Sequence, residues 1–169
     1  MSVDPLNELN EAELATKLLH CCGSRAWVES MLRSRPYSTL DDLIAKAAAA
    51  DASLTRTDWL GAFAAHPEIG TKSKGISKWE AQEQKGAVDA NASTLDLLAQ
   101  GNQQYKSKFG YIYIVCATGK SADEMLHILQ RRLAHTADEE LPIAAAEQSK
   151  ITRIRLNKLV QEYSSNSRL

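Results

Sequence analysis

Few side chains in this sequence could do chemistry. There is no P-loop, no GxGxxG, no GxSxG and no HExxH. His20, His66, His127 and His135 show no metal-type spacing with one another. His20 stands beside Cys21 and Cys22 but lacks the further ligands a transition metal needs, so no metal site is expected. His127 and His135 fit helix-surface or helix-end positions, and Cys116, in an apolar run, fits a buried small hydrophobe. His66 is different. It closes a segment carrying Trp59 and Phe63 and directly precedes Pro67, so a titratable ring lies between an apolar wall and a turn. By residue type alone it is a helix-terminal His facing the dipole. Glu80 and Glu83 lie i, i+3 on one helix and would ordinarily be solvated. Arg153 and Arg155, two apart, must point in different directions, one of them toward the Ile151, Ile154, Leu159 stripe.

The elements that must hold these residues read as helices. Asn10-Glu11-Ala12-Glu13 has the capping-box form, Leu14, Leu18 and Leu19 follow at helical spacing, and Gly23 is a stop. Ser24 can cap a second segment carrying Trp27, Met31 and Leu32, which ends before Pro36. Ser38-Thr39-Leu40-Asp41 opens an Ala-rich third through about residue 52. Thr55 or Thr57 caps a fourth, with Trp59, Leu60 and Phe63, stopping near His66. Residues 67–76 are polar with two glycines and read as a loop. Ser77 starts a fifth helix, residues 92–109 form a sixth, 121–135 a seventh and about 137–163 an eighth. Pro142 predicts a kink or a delayed start in the last. The expectation is an all-α, single-domain bundle of about eight helices over residues 1–163.

One stretch disagrees. Tyr111-Ile112-Tyr113-Ile114-Val115-Cys116 is β-branched and aromatic, bounded by Gly110 and Gly119, and no second run of this type exists to pair with it. A short extended segment near 111–116 is expected, its backbone groups open to another partner.

Composition narrows the function classes. Hydrophobic residues are 44% and charged residues 24% of 169, which favours neither disorder nor a membrane protein. A net charge of −1 offers no excess of cations for a phosphate backbone, so no nucleic acid is expected. No apolar run approaches the ~18–20 residues of a membrane span. The start, MSVDPLNELNEAEL, has neither the basic nor the apolar region of a secretory signal. Three cysteines, two adjacent, make no disulfide framework and suggest a reducing compartment.

Four motifs, in this order, carry a resemblance. They are Asp58-Trp59-Leu60 to His66-Pro67-Glu68-Ile69-Gly70; Glu83-Gln84 before Gly86-Ala87; Tyr105 through Lys108-Phe109-Gly110-Tyr111 to Cys116-Ala117 and Gly119; and Lys150-Ile151 to Arg155-Leu156. From about residue 7 to 160 the chain resembles the 2-oxo-4-hydroxy-4-carboxy-5-ureidoimidazoline (OHCU) decarboxylases of purine catabolism. Cys21-Cys22-Gly23-Ser24 and Trp79 ahead of Glu80–Gln84 look like the plant-type branch, often fused to a transthyretin-like hydrolase domain. With the sequence ending at Leu169, the stand-alone form is expected.

The resemblance implies an all-α homodimer that decarboxylates OHCU to (S)-allantoin with no cofactor. It implies His66 as proton donor, Glu83 as catalytic carboxylate and Arg155 as a substrate-holding arginine. Pro67 and Gln84 match substrate contacts, and Tyr111, Ile112, Tyr113, Ile114 and Val115 match a segment whose backbone reads the heterocycle. Many members carry Ser three residues before the glutamate; here Glu80 stands there, a second carboxylate near the pocket. The competing reading is a non-catalytic all-α protein-interaction domain. Pairing of His66 and Glu83 across one pocket would favour the enzyme, and a flat exposed apolar groove would favour the binder. Residues 164–169 are polar and small and predict a flexible tail. Its Ser167-Arg168-Leu169 is a conservative variant of the Ser-Lys-Leu address, so a peroxisomal import receptor and a peroxisomal location are expected.

Overall fold

Side-chain caps set where the helices begin. In a computed structural model describing residues 1–70, 78–88 and 91–166, the Asn10 side chain accepts from the Glu13 amide and the Glu13 carboxylate accepts from the Asn10 amide. That reciprocal pair opens α2 (Glu11–Cys21). Ser24 caps α3 (Arg25–Arg33) and Thr39 caps α4 (Leu40–Ala52) by one-way bonds, their hydroxyls accepting from the Trp27 and Asp42 amides. Of the two threonines offered for α5 (Arg56–Ala64), Thr55 is used: its hydroxyl accepts from the Asp58 amide while the Asp58 carboxylate accepts from the Thr55 amide. Each such cap is worth about 1 kcal/mol.

The chain forms two compact units: Met1–Ala62 with the stretch from Ser149, and Phe63–Gln148. In the first, Leu14 and Leu18 of α2, Trp27 and Met31 of α3 and Leu43 of α4 are wholly buried. So are Leu156, Leu159 and Val160 of α10 (Ala137–Asn166), whose residues from Ser149 belong here. A five-residue helix, α1 (Asp4–Glu8), precedes them. Periodicity cannot reveal so short an element. It is fixed from afar: the Asn7 side chain takes both the amide and the carbonyl of Tyr37, at 2.9 and 2.8 Å.

The second unit holds α6 (Lys78–Glu83), α7 (Lys85–Val88), α8 (Ala92–Phe109), α9 (Ala122–Arg132) and α10 as far as Gln148. α8 and α9 pack closely because residue 101 is Gly: a Cβ there would run into the Leu129 side chain. Phe63, Tyr105, Phe109 and Tyr111 are buried with ring centroids 4.6–6.3 Å apart, a spacing favourable to aromatic pairs.

All-α architecture is as the sequence predicts, with ten helices among the described residues rather than about eight. The two extra are α1 and the division of the fifth segment at Gln84. The expected start at Ser77, and the loop beyond residue 70, lie outside the described residues. Pro142 neither delays nor ends α10. Thr136 and Glu139 form a reciprocal cap that fixes the start at Ala137, so the helix begins ahead of the proline and carries it inside its second turn. Residues 164–166 continue α10 instead of joining a flexible tail; the Ser165 hydroxyl donates back to the Gln161 carbonyl. Ser167-Arg168-Leu169 lies outside the described residues.

Candidate active site

His66 stands where α5 runs out. Its amide closes a last turn on the Phe63 carbonyl at 3.1 Å, and Pro67 disfavours further helix. The ring is half-buried and directed at the second unit's own α10: Nε2 lies 2.6 Å from Oε1 of Gln148, a side chain with no exposed surface.

Beyond Pro67, which is half-buried, the backbone is gripped by amides. The peptide joining Ile69 to Gly70 is bound at both polar ends. Asn102 Nδ2 donates to the Ile69 carbonyl at 3.2 Å, and the Gly70 amide donates to Gln84 Oε1 at 3.1 Å. Gly70 has φ +84°, a conformation that only glycine takes readily. Asn102 and Gln84 are both buried.

Glu83 ends α6 and Gln84 interrupts it before α7. The two carboxylates part company here: Glu83 is buried and Glu80 is half-buried. Neither is the fully solvated side chain that residue type alone suggests.

The 111–116 segment belongs to no helix, and no strand pairs with it among the described residues. Its backbone, however, is not wholly open to a ligand. The Ile114 carbonyl accepts from Arg132 Nη1 at 2.6 Å, the Cys116 amide donates to Glu147 Oε1 at 3.1 Å, and the Cys116 carbonyl accepts from Lys120 Nζ at 2.7 Å. Buried backbone groups must be satisfied, and in the absence of a second strand charged side chains do it. Tyr111, Tyr113, Ile114 and Val115 are buried and Ile112 is half-buried.

Arg132 is itself held. Its Nε donates to Glu140 Oε1 at 2.6 Å, Tyr105 OH donates to the same oxygen at 2.6 Å, and His135 Nδ1 lies 2.9 Å from the other. Its guanidinium lies over the Tyr113 and Tyr105 rings, at 5.0 and 5.7 Å. Burial is the largest single influence and works against the charge, but the hydrogen bond to Glu140 and the attraction of Tyr105, Glu140 and Tyr113 together outweigh it and hold the guanidinium above its ordinary pKa. Burial also pushes the Tyr105 and Tyr113 hydroxyls well up, so both stay protonated donors.

Arg155 belongs to the first unit, where it is buried and its Nη1 donates to the His20 carbonyl at 2.9 Å. Arg153 is exposed, which resolves which of the two faces inward. Cys21, Cys22 and Cys116 are buried and form no disulfide, and burial pushes Cys22 up to about 11. Among the described residues no cluster of three His, Cys, Asp or Glu could hold a metal, and no helix is long and apolar enough to cross a membrane.

Sequence reasoning overlooked Gln148, Asn102, Arg132, Glu140 and Glu147. Two of them left a signal. Glu147 and Gln148 follow Ala144 by three and four residues, and Gln148 precedes Ile151 by three, so polar side chains occupy an apolar stripe. His135, read as a surface residue, is joined to a fully buried carboxylate.

An all-helical fold with a helix-end histidine and a gripped backbone fits the protein's kinship. The OHCU decarboxylase family model matches residues 7–157, and the chain belongs to that family. It is 40% identical over 148 residues to the uric acid degradation bifunctional protein TTL of Arabidopsis thaliana, covering 84% of this chain and 46% of that one. It thus spans about half the length of that relative. Against the 2-oxo-4-hydroxy-4-carboxy-5-ureidoimidazoline decarboxylase of Mus musculus it is 29% identical, over 80% of this chain and 79% of the other. An OHCU decarboxylase crystallised in the presence of (S)-allantoin superposes with a TM-score of 0.76 at 39% identity, covering 85% of this chain and 96% of that one.

Proposed function

We propose that this chain is a carboxy-lyase that converts OHCU to (S)-allantoin in urate degradation, with His66 delivering the proton. The observation that carries the reading is a half-buried histidine at a helix end, its ring bonded to a fully buried amide, inside the stretch matched by the family model.

The substrate chemistry asks for little more. In OHCU the carboxylate sits on a carbon next to a C=N bond. When the C–C bond to the carboxylate breaks, CO2 leaves and the electron pair moves toward that C=N, giving an ene-type intermediate. The substrate is its own electron sink, so no cofactor is invoked. A proton then adds to carbon on one face. The protein's task is to orient the carboxylate, stabilise developing charge and present the proton. A histidine suits the last, and a positioned acid contributes ~10²–10⁴-fold. Glu83 supplies a carboxylate favouring the protonated ring, and Arg155 a planar fork of donors for the ring or carboxylate. Pro67, Glu80, Gln84 and the backbone of Tyr111–Val115 contact the heterocycle in this reading.

The test generates OHCU from urate in situ and follows allantoin by circular dichroism. His66→Asn should abolish turnover in a protein whose helical spectrum is unchanged. Near-normal turnover would remove His66 from the mechanism.

The same reading includes a homodimer and peroxisomal import through Ser167-Arg168-Leu169, supported by the sequence of the last three residues. Sedimentation at working concentration checks the first. For the second, a chain lacking those residues should stay cytosolic while keeping full activity in vitro.

A further inference from the structure

We infer that Gln148 is the positioning residue of His66: it holds the ring in the Nε2–H tautomer and thereby makes Nδ1 the atom that takes up and hands on the proton. The inference rests on the proposed role of His66 and adds the residue and the nitrogen.

The argument is geometric. A neutral imidazole has one N–H and one lone pair, and an uncommitted ring exchanges them. The atom of Gln148 facing the ring is its amide oxygen, 2.6 Å from Nε2. An amide oxygen can only accept, so Nε2 must carry its hydrogen in both the neutral and the cationic ring. Protonation then takes place at Nδ1 alone. In the decarboxylation, the Nδ1–H bond of the cationic ring breaks as the new C–H bond forms, the electron pair of that bond coming from the ene intermediate. The ring is left neutral in the tautomer it already held, and Nε2 does not change partners.

The support for this bond is rigid. Gln148 has no exposed surface, and it lies in the interior of α10. Its neighbour Glu147 is engaged with the Cys116 amide, so this turn of the helix is anchored on a second contact. A neutral amide also fixes the tautomer without adding charge. A carboxylate in its place would stabilise the cation and make the proton harder to release.

The first test needs no variant and no turnover. Nitrogen-15 NMR of the full chain with labelled histidine should give, above the ring's titration, an Nε2 of protonated type and an Nδ1 of unprotonated type for His66. His66→Asn provides the assignment. The opposite pattern overturns the inference even if the enzyme is active. If the pattern is as expected but the wild-type chain does not turn over OHCU, the tautomer assignment stands and the proposed function fails.

The second test uses two near-isosteric variants. Gln148→Leu should lower kcat by roughly 10–100-fold, part of what a positioned acid contributes, with KM changed less than threefold and a mixed tautomer signature. Gln148→Glu should restore the Nε2–H signature and shift the pH profile of kcat/KM to higher pH, because the carboxylate favours the charged ring. An unchanged kcat in Gln148→Leu, or a pH profile unmoved in Gln148→Glu, would overturn the role.

Discussion

Two irregular stretches of the second unit are held in opposite ways. Residues 66–70, which carry the histidine, are held by neutral amides: Gln148 on the ring, Asn102 and Gln84 on one peptide group. Residues 111–116 are held by charges: Arg132 on the Ile114 carbonyl, Glu147 on the Cys116 amide and Lys120 on the Cys116 carbonyl. Both stretches lack a helix or strand to satisfy their backbone, so side chains must do it. Neutral holders beside a group that must gain and lose a proton leave its charge balance alone. Charged holders make stronger bonds, but each brings an ion into the interior that needs its own counter-ion. Arg132 and Glu140 are that cost and its remedy.

The contrast predicts a ranking. Arg132→Met should cost most, roughly 3–5 kcal/mol, because it takes the buried guanidinium away from the buried Glu140 carboxylate and leaves that charge to His135 and the Tyr105 hydroxyl. Urea denaturation measures it, and the unfolded fraction should already rise near physiological temperature. A loss below that of the amide variants would reverse the ranking. Asn102→Leu comes next, about 1–3 kcal/mol, the penalty for leaving the Ile69 carbonyl without its donor. Part of this is offset because Asn102 Oδ1 already lacks a hydrogen-bond partner among the described residues. The same denaturation series gives the value. Glu147→Gln should cost least, about 1 kcal/mol, since a neutral acceptor remains for the Cys116 amide. It turns one charged holder into a neutral one, and a thermal shift of several degrees or more would show that the charge itself matters at that position.

Legibility in the sequence followed the range of the interactions. Asn10, Ser24, Thr39 and Thr55 cap within three or four residues, so their helix starts could be read directly. Tyr111–Cys116 announced itself by residue type, though its anchors did not. Arg132 reaches Ile114 across 18 residues, Glu147 reaches Cys116 across 31 and Gln148 reaches His66 across 82. No local pattern encodes such partners. The burial of Arg155 rather than Arg153, and of Glu83 rather than Glu80, follows from which face of its helix each occupies. By residue type alone the arginine choice stays open and both glutamates read as solvated side chains; only the family resemblance singles out Arg155 and Glu83.

Glu147 and Gln148 are consecutive, and one anchors the end of the 111–116 segment while the other anchors the histidine. A helix advances about 100° per residue. Inserting or deleting one residue just upstream in α10 would therefore swing both anchors off their targets together. This turn of the helix behaves like a shared keyway: its side chains tolerate exchange for others of like shape, but its count of residues does not. Transplanting the site into another scaffold would require carrying this dipeptide in phase, ahead of any concern for the residues that meet the substrate.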